Sequence, residues 1–208
     1  MSVQLRIDTV DISNLANMIG AAGKRAPAGF ARALNRTGMK ARTAMIKGLT
    51  AQTGLKPKVV RRALRSKKAH KANLAFTVES AGGNIALKYF SPRETRKGVS
   101  AAPFGKRRVF ASTFMKAGWW PGRVVKGNWN GQVFKRTGVT KKTEAHPDGM
   151  DQFERQKSGV IIPQEMVQGA TEAAFFNVAQ RELPGDLAHE LGLILSGHQF
   201  KSKGGKVF

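Results

Sequence analysis

Asp148, Asp151 and Glu154 recur every three residues, with His146 close by. Carboxylates at that spacing are the raw material of a metal-dependent nuclease. A two-metal centre, however, needs carboxylates that converge from rigid elements. Residues 137–158 read as a polar loop turned by Pro147, Asp148 and Gly149, so a solvated acidic loop is the better reading. His70, His189 and His198 are scattered and fit no zinc spacing. Cysteine is absent, which excludes disulfides, thiolate metal sites and thiol nucleophiles. Gly98 to Lys106 has the outward look of a phosphate loop. Its glycines are too far apart, and Arg107 stands where a Ser or Thr must hold magnesium. No Gly-x-Ser-x-Gly or Ser-His-Asp pattern is present. The expectation is a protein that is not an enzyme, with no catalytic, cofactor-binding or metal site.

The chemistry these residues do offer is ion pairing. The chain of 208 residues carries 36 Lys and Arg against 13 Asp and Glu, a formal charge of +23. An excess of that size speaks of partners rather than of fold. Nucleic acid is the first candidate, an anionic protein neighbour the second, a membrane surface the third. The charge is concentrated: residues 24–71 hold fifteen Lys and Arg and no acid. Within them Phe30, Leu34, Ala41, Met45 and Leu49 fall on one helical stripe. Arg32, Arg36, Lys40 and Lys47 fall on nearly the opposite side. One face can bury while the other presents a row of cations. Arg61, Arg62 and Arg65 extend the row. These seven are candidates to face DNA or a subunit interface. A solvated face, or pairing with a neighbour's acids, is the blander alternative. Residues 143–200 reverse the balance, with nine acids against three Lys and Arg. That asymmetry suits a subunit meeting its copies basic-to-acidic, and equally a patchy monomer surface.

The elements that must position these residues read as follows. Residues 2–8 alternate as a short strand. Asp11 or Ser13 can cap a helix starting at Ile12. Pro27 suits the first turn of the long basic helix, which Gly54 ends. A short helix follows over KPKVVRRALRSKK. Leu74–Val78 and Ile85–Tyr89 read as a hairpin joined through Gly82-Gly83. Strands are predicted around 98–102, 107–115, 123–126 and 131–136, and Val160–Ile162 forms a last one. Two helices then follow, separated by a break at Leu183-Pro184-Gly185-Asp186. The tail 198–208 is basic and aperiodic. The fold class is α+β: a long basic N-terminal helix and C-terminal helices packed on a mainly antiparallel sheet. Residues 1–208 form one domain, with a projecting hairpin over about 116–136. That hairpin bears Trp119, Trp120 and Trp129. They could stack on nucleic-acid bases, but aromatics on a Gly-rich hairpin more often anchor a protein interface.

The first residues lack the charged and apolar regions of a secretory signal, and no apolar run approaches membrane-spanning length. A soluble product of the cytosol is expected, with no membrane partner.

Several short stretches occur in a familiar order: ALNRTGMKART, TGLKPKVVRRAL, FSPRETRKGVSAAPFGKRRVF, VFKRTG, SGVIIP and RELPGDLAHELGLIL. In this order they resemble the minor tail protein Z family of long-tailed bacteriophages and prophages, related to the tail-completion proteins. The likeness runs from about residue 24 to 196. It is strongest at Ala33-Leu34-Asn35-Arg36, at Thr53-Gly54-Leu55 with Val59-Val60-Arg61-Arg62, and at Leu183-Pro184. It implies a structural virion protein acting at the head-proximal end of the tail, assembled in the host cytoplasm. It further implies a homo-oligomeric ring around the DNA channel, between partners such as the tail terminator and the head-tail connector. A hexamer is favoured by analogy with the usual symmetry of tails. Contact with genomic double-stranded DNA would be non-specific, which Lys and Arg rows supply through phosphates. The alternative from the residues alone is a free cytosolic, sequence-independent nucleic-acid-binding protein.

Overall fold

The computed structural model describes residues 1–6, 23–119, 121–144 and 146–197. Its backbone is α+β, and all of its strand pairings are antiparallel. Two long helices form the frame. Helix α1 spans Ala26–Thr53 and carries Pro27 in its first turn, where a missing N–H costs nothing. It ends at Gly54, whose φ of 75° lets its N–H return to the Thr50 carbonyl. The predicted apolar stripe is buried throughout: Phe30, Leu34, Ala41, Met45 and Leu49 all point inward.

A short helix α2, Pro57–Ala63, follows, and the chain then extends into strand β2, Leu64–Lys67. The single helix predicted over 56–68 is therefore cut at Leu64. The cause is tertiary: Leu64 to Lys67 pair in register with Ser80 to Thr77 of strand β3, Ala75–Ser80. Strand β1, Ser2–Arg6, lines the other edge of β3. The predicted pairing of 74–78 with 85–89 does not occur. Ile85 instead exchanges backbone bonds with Ser158 and Val160, and Leu87–Tyr89 tighten into a 3-10 turn.

A second sheet joins β4 (Arg93–Thr95), β5 (Gly98–Ala101) and β6 (Arg108–Ala111), in that order. The strand predicted over 107–115 is split at Ser112, whose φ is 58°, so β7 holds only Thr113–Phe114. β7 pairs with the root of β8, Phe134–Thr143, and β8 pairs with β9, His146–Arg155. The segment read as a polar loop over 137–158 is thus mostly a hairpin of ten-residue strands, each roughly 33 Å long. Along β8 only Phe134 is buried, and along β9 no residue is. This hairpin is the projecting part. The stretch 116–133 predicted to project folds back instead. Among its described residues the one ladder contact is the Ala117–Val124 bridge, and 123–126 is not a strand.

Pro163 turns Ile162–Glu165 into a short helix, α3, where a strand was predicted from Val160. The two predicted C-terminal helices are one, α4, Gly169–Leu195, running through Pro184. Pro184 removes a donor from the Gln180 carbonyl. Gln180, Arg181, Pro184 and Gly185 all lie on the exposed side, where solvent serves that carbonyl. The opposite side holds the helix together by packing Leu187, Leu191 and Ile194 on Ala26, Phe30 and Ala33 of α1. The larger core packs the rest of α1 on Phe76, Val78, Phe90, Val99, Ile162, Met166 and Phe175. The helix predicted from Ile12, Trp120 and the basic tail 198–208 lie outside the described residues.

Candidate nucleic-acid interface

α1 and α4 run antiparallel, and this settles what the basic stripe touches. Residues 32, 36 and 40 climb one helix in steps of four. Residues 190, 186 and 182 descend the other in the same steps. The Arg32 Nε donates to Glu190 Oε2 at 2.6 Å, and Arg36 Nη2 donates to Glu190 Oε1 at 2.9 Å. Arg36 Nη1 stands 3.7 Å from Asp186 Oδ1. Lys40 Nζ reaches Asp186 Oδ2 at 3.2 Å and Glu182 Oε2 at 2.9 Å. The Thr37 hydroxyl adds a 2.7 Å bond to Asp186 from inside the helix interface. Three of the seven candidate cations are therefore committed to acids of their own chain. At Arg32, Arg36 and Lys40 the row along α1 is already paired within the chain, while the Arg36 and Lys40 side chains each stay 43% exposed.

Burial ranks the rungs. The Glu190 side chain is 2% exposed, and its two oxygens each accept a guanidinium bond. A carboxylate so placed is tolerated only because it is paired. The outer rung is solvent-facing. Lys40 is held above the usual lysine range, chiefly by its hydrogen bond to Glu182. Glu182 is held below the usual carboxylate range, chiefly by the same bond from Lys40.

The other four candidates differ. Lys47, Arg61, Arg62 and Arg65 are exposed, and none forms an ion pair among the described residues. They stand on the last turns of α1, on α2 and on β2. Residues 56–68 hold seven Lys and Arg and no acid, and Lys67 alone of them meets a carboxylate, Glu79, at 2.6 Å. Arg42 underpins this surface. Its Nη2 donates to the carbonyls of Arg61 at 3.3 Å and Leu64 at 3.1 Å, fixing where α2 ends. Burial, and then the charge of Arg61, push the Arg42 guanidinium below its ordinary range. The result is a fixed, strongly cationic surface, with Glu79 opposite Arg65 as the acid beside it, able to meet phosphates without reading sequence.

The tryptophans separate as well. Trp129 is half-buried in a cluster with Phe114, Phe134 and Phe153, with ring centroids 5.0–5.9 Å from it. It is spent on the root of the hairpin, not on a partner. Trp119 is 81% exposed, and the Arg136 guanidinium lies 5.5 Å from its ring and 5.4 Å from that of Phe114. Arg136 also pairs with Asp151. A partly buried ion pair between Arg123 and Glu94 ties this loop to the second sheet.

Sequence reasoning missed Glu182, Asp186 and Glu190. Their spacing of four was visible, but a helix break at Pro184 places Glu182 and Asp186 on different helices and hides the ladder. Arg42 was missed because it sits off the basic stripe. Asp148, Asp151 and Glu154 lie along one strand, and no group of three His, Asp or Glu among the described residues could hold a metal ion. No described helix is long and apolar enough to cross a membrane. Comparison with protein-family models, with curated proteins and with solved structures found no match for this chain.

Proposed function

We propose that the chain is a structural subunit of a tailed-phage virion. In this reading it is a tail-completion or neck component, assembled in the host cytoplasm. It closes as a homo-oligomeric ring around the DNA channel at the head-proximal end of the tail, hexameric by analogy with tails. The tail terminator and the head-tail connector are its neighbours. The ordered short stretches that resemble the minor tail protein Z family motivate the reading.

One observation carries it at the physical level. After α4 has neutralised Arg32, Arg36 and Lys40, the cations Lys47, Arg61, Arg62 and Arg65 still stand exposed, with no ion pair to another described residue. Like charges held together on rigid elements repel one another, and a polyanion alongside relieves that. A duplex that must move past a ring is served by hydrated phosphate contacts of this kind, since they carry no sequence preference.

The test uses virions. Separated heads and tails probed with an antibody to this chain are expected to place it at the head-proximal tail end. Replacing Lys47, Arg61, Arg62 and Arg65 with Gln is expected to lower infectious titre at least tenfold while tails still assemble. A virion lacking the chain, or an unchanged titre, overturns the proposal.

A further inference from the structure

The acids that remain uncommitted are not spread evenly. Glu182, Asp186 and Glu190 serve α1, Glu79 serves Lys67, Glu94 serves Arg123 and Asp151 serves Arg136. Glu165 accepts from Gln52. Four described acids form no such contact: Glu144, Asp148, Glu154 and Glu172. Three of these lie between residues 144 and 154, a stretch with four acids and no Lys or Arg. That stretch is the tip and outer strand of the projecting hairpin. β9 is an edge strand, so one row of its backbone N–H and C=O groups is unpaired. Val139, at 61% exposed, and Met150, at 43%, lie bare on the same arm.

A cationic chain approaches its own copies best where its charge is locally reversed, and on this arm the outer strand supplies that reversal, since the Lys and Arg of the hairpin lie on β8 and at Arg155. The matching surface must be cationic and must also offer apolar area, because interface centres exclude water. Residues 56–68 have the charge but no large exposed apolar side chain, which suits hydrated phosphate. Residues 96–108 carry five Lys and Arg and no acid, with Phe104 and Val109 exposed beside them. They end in β6, which is also an edge strand. A cleft of about 360 Å³ runs alongside all four residues of β6.

We propose that the β8–β9 hairpin is the arm by which one copy grips the next, with its outer strand docking along β6 of a second copy. The negative charge of Asp148 and Glu154 meets there the positive charge that Lys106, Arg107 and Arg108 gather at the start of β6. Such a contact joins two different surfaces, so it repeats head-to-tail and closes into a ring where the rotation permits. The inference deepens the ring reading above, but its test reads self-association and leaves virion location aside.

The full chain is studied by sedimentation and native mass spectrometry. Asp148→Lys with Glu154→Lys, and separately Lys106→Glu with Arg108→Glu, should each weaken self-association at least tenfold. Far-UV circular dichroism should stay unchanged. The neutral pair Asp148→Asn with Glu154→Gln should weaken it less. Combining the two reversed sets should restore the oligomer, which a merely misfolded arm would not do. Arg61→Glu with Arg62→Glu should leave it intact. Overturning results are a wild-type chain that stays monomeric, an oligomer indifferent to both reversals, or association that appears only with added duplex DNA. None of these bears on whether the chain sits in the virion neck.

Discussion

Gly38 marks the closest approach of α1 to the first sheet. A Cβ there would lie 2.3 Å from the Phe76 ring, and Phe76 is fully buried. Alanine is the better helix former by about 1 kcal/mol, so propensity and packing oppose each other. Packing should win, because a buried aromatic ring in a filled core has nowhere to go and overpacking costs about 1–3 kcal/mol. Gly192 on α4 is the internal control, since nothing lies within 4 Å of its added Cβ. Gly38→Ala is expected to lower the urea midpoint and Gly192→Ala to raise it. Equal shifts would show that the ring can move aside. At this scale the sequence was legible where a residue type has one job. Pro27, Gly54 and the stripe from Phe30 to Leu49 stand where backbone limits and periodicity put them. Gly38 was not legible, because nothing in its neighbourhood announces a phenylalanine from thirty-eight positions later.

Between elements, the α1–α4 ladder has a defined response to pH. Glu182 has its carboxyl held below the usual range, so its contribution is present above the unfolded carboxylate pKa and is lost as pH falls through the lowered value. Lys40 is raised, so its contribution is present below the ordinary lysine pKa and is lost as pH rises through the raised value. Both groups face solvent, so salt screens them. The Tm difference between wild type and Lys40→Met should be flat around neutrality, shrink at both extremes, and shrink again in high salt. A difference that persists in strong acid would assign Lys40's role to its methylene stem instead. The ladder also explains what the sequence hid. Pro184 is a strong local stop signal, yet a helix clamped along one side by Leu187, Leu191 and ion pairs carries it with the defect turned to solvent. The β8–β9 hairpin was hidden for a different reason. Its alternation is written in Thr, Lys and Gln, and no buried face betrays a period of two. The pairing of β3 with β1 and β2 is a choice among distant partners that local pattern does not make.

For the molecule as a whole, the balance of charge becomes a division of surfaces. One cationic set is consumed within the chain, one lies bare with no large exposed apolar side chain of its own, and one lies beside exposed Phe104 and Val109. Binding of the bare set to duplex DNA should be indifferent to sequence and steep in salt. The slope of log K against log salt should fall by about 0.9 for each phosphate contact removed. Replacing Arg61, Arg62 and Arg65 with Gln should therefore flatten it by close to three such steps. Replacing Arg32 and Arg36 should leave the slope alone and lower stability instead. A filter-binding titration across salt concentrations separates the two. The α+β class was readable from the order of patterns, whereas the partition of cations was not, since it depends on two helices some 150 positions apart lying side by side.

That separation in sequence has a consequence during synthesis. α1 emerges well before the carboxylates that neutralise it, so the ribosome exposes a polycation that lacks those partners until α4 follows. Until residue 190 has cleared the exit tunnel, Arg32, Arg36 and Lys40 have no α4 carboxylate to meet, and ribosomal and messenger RNA are the polyanions at hand.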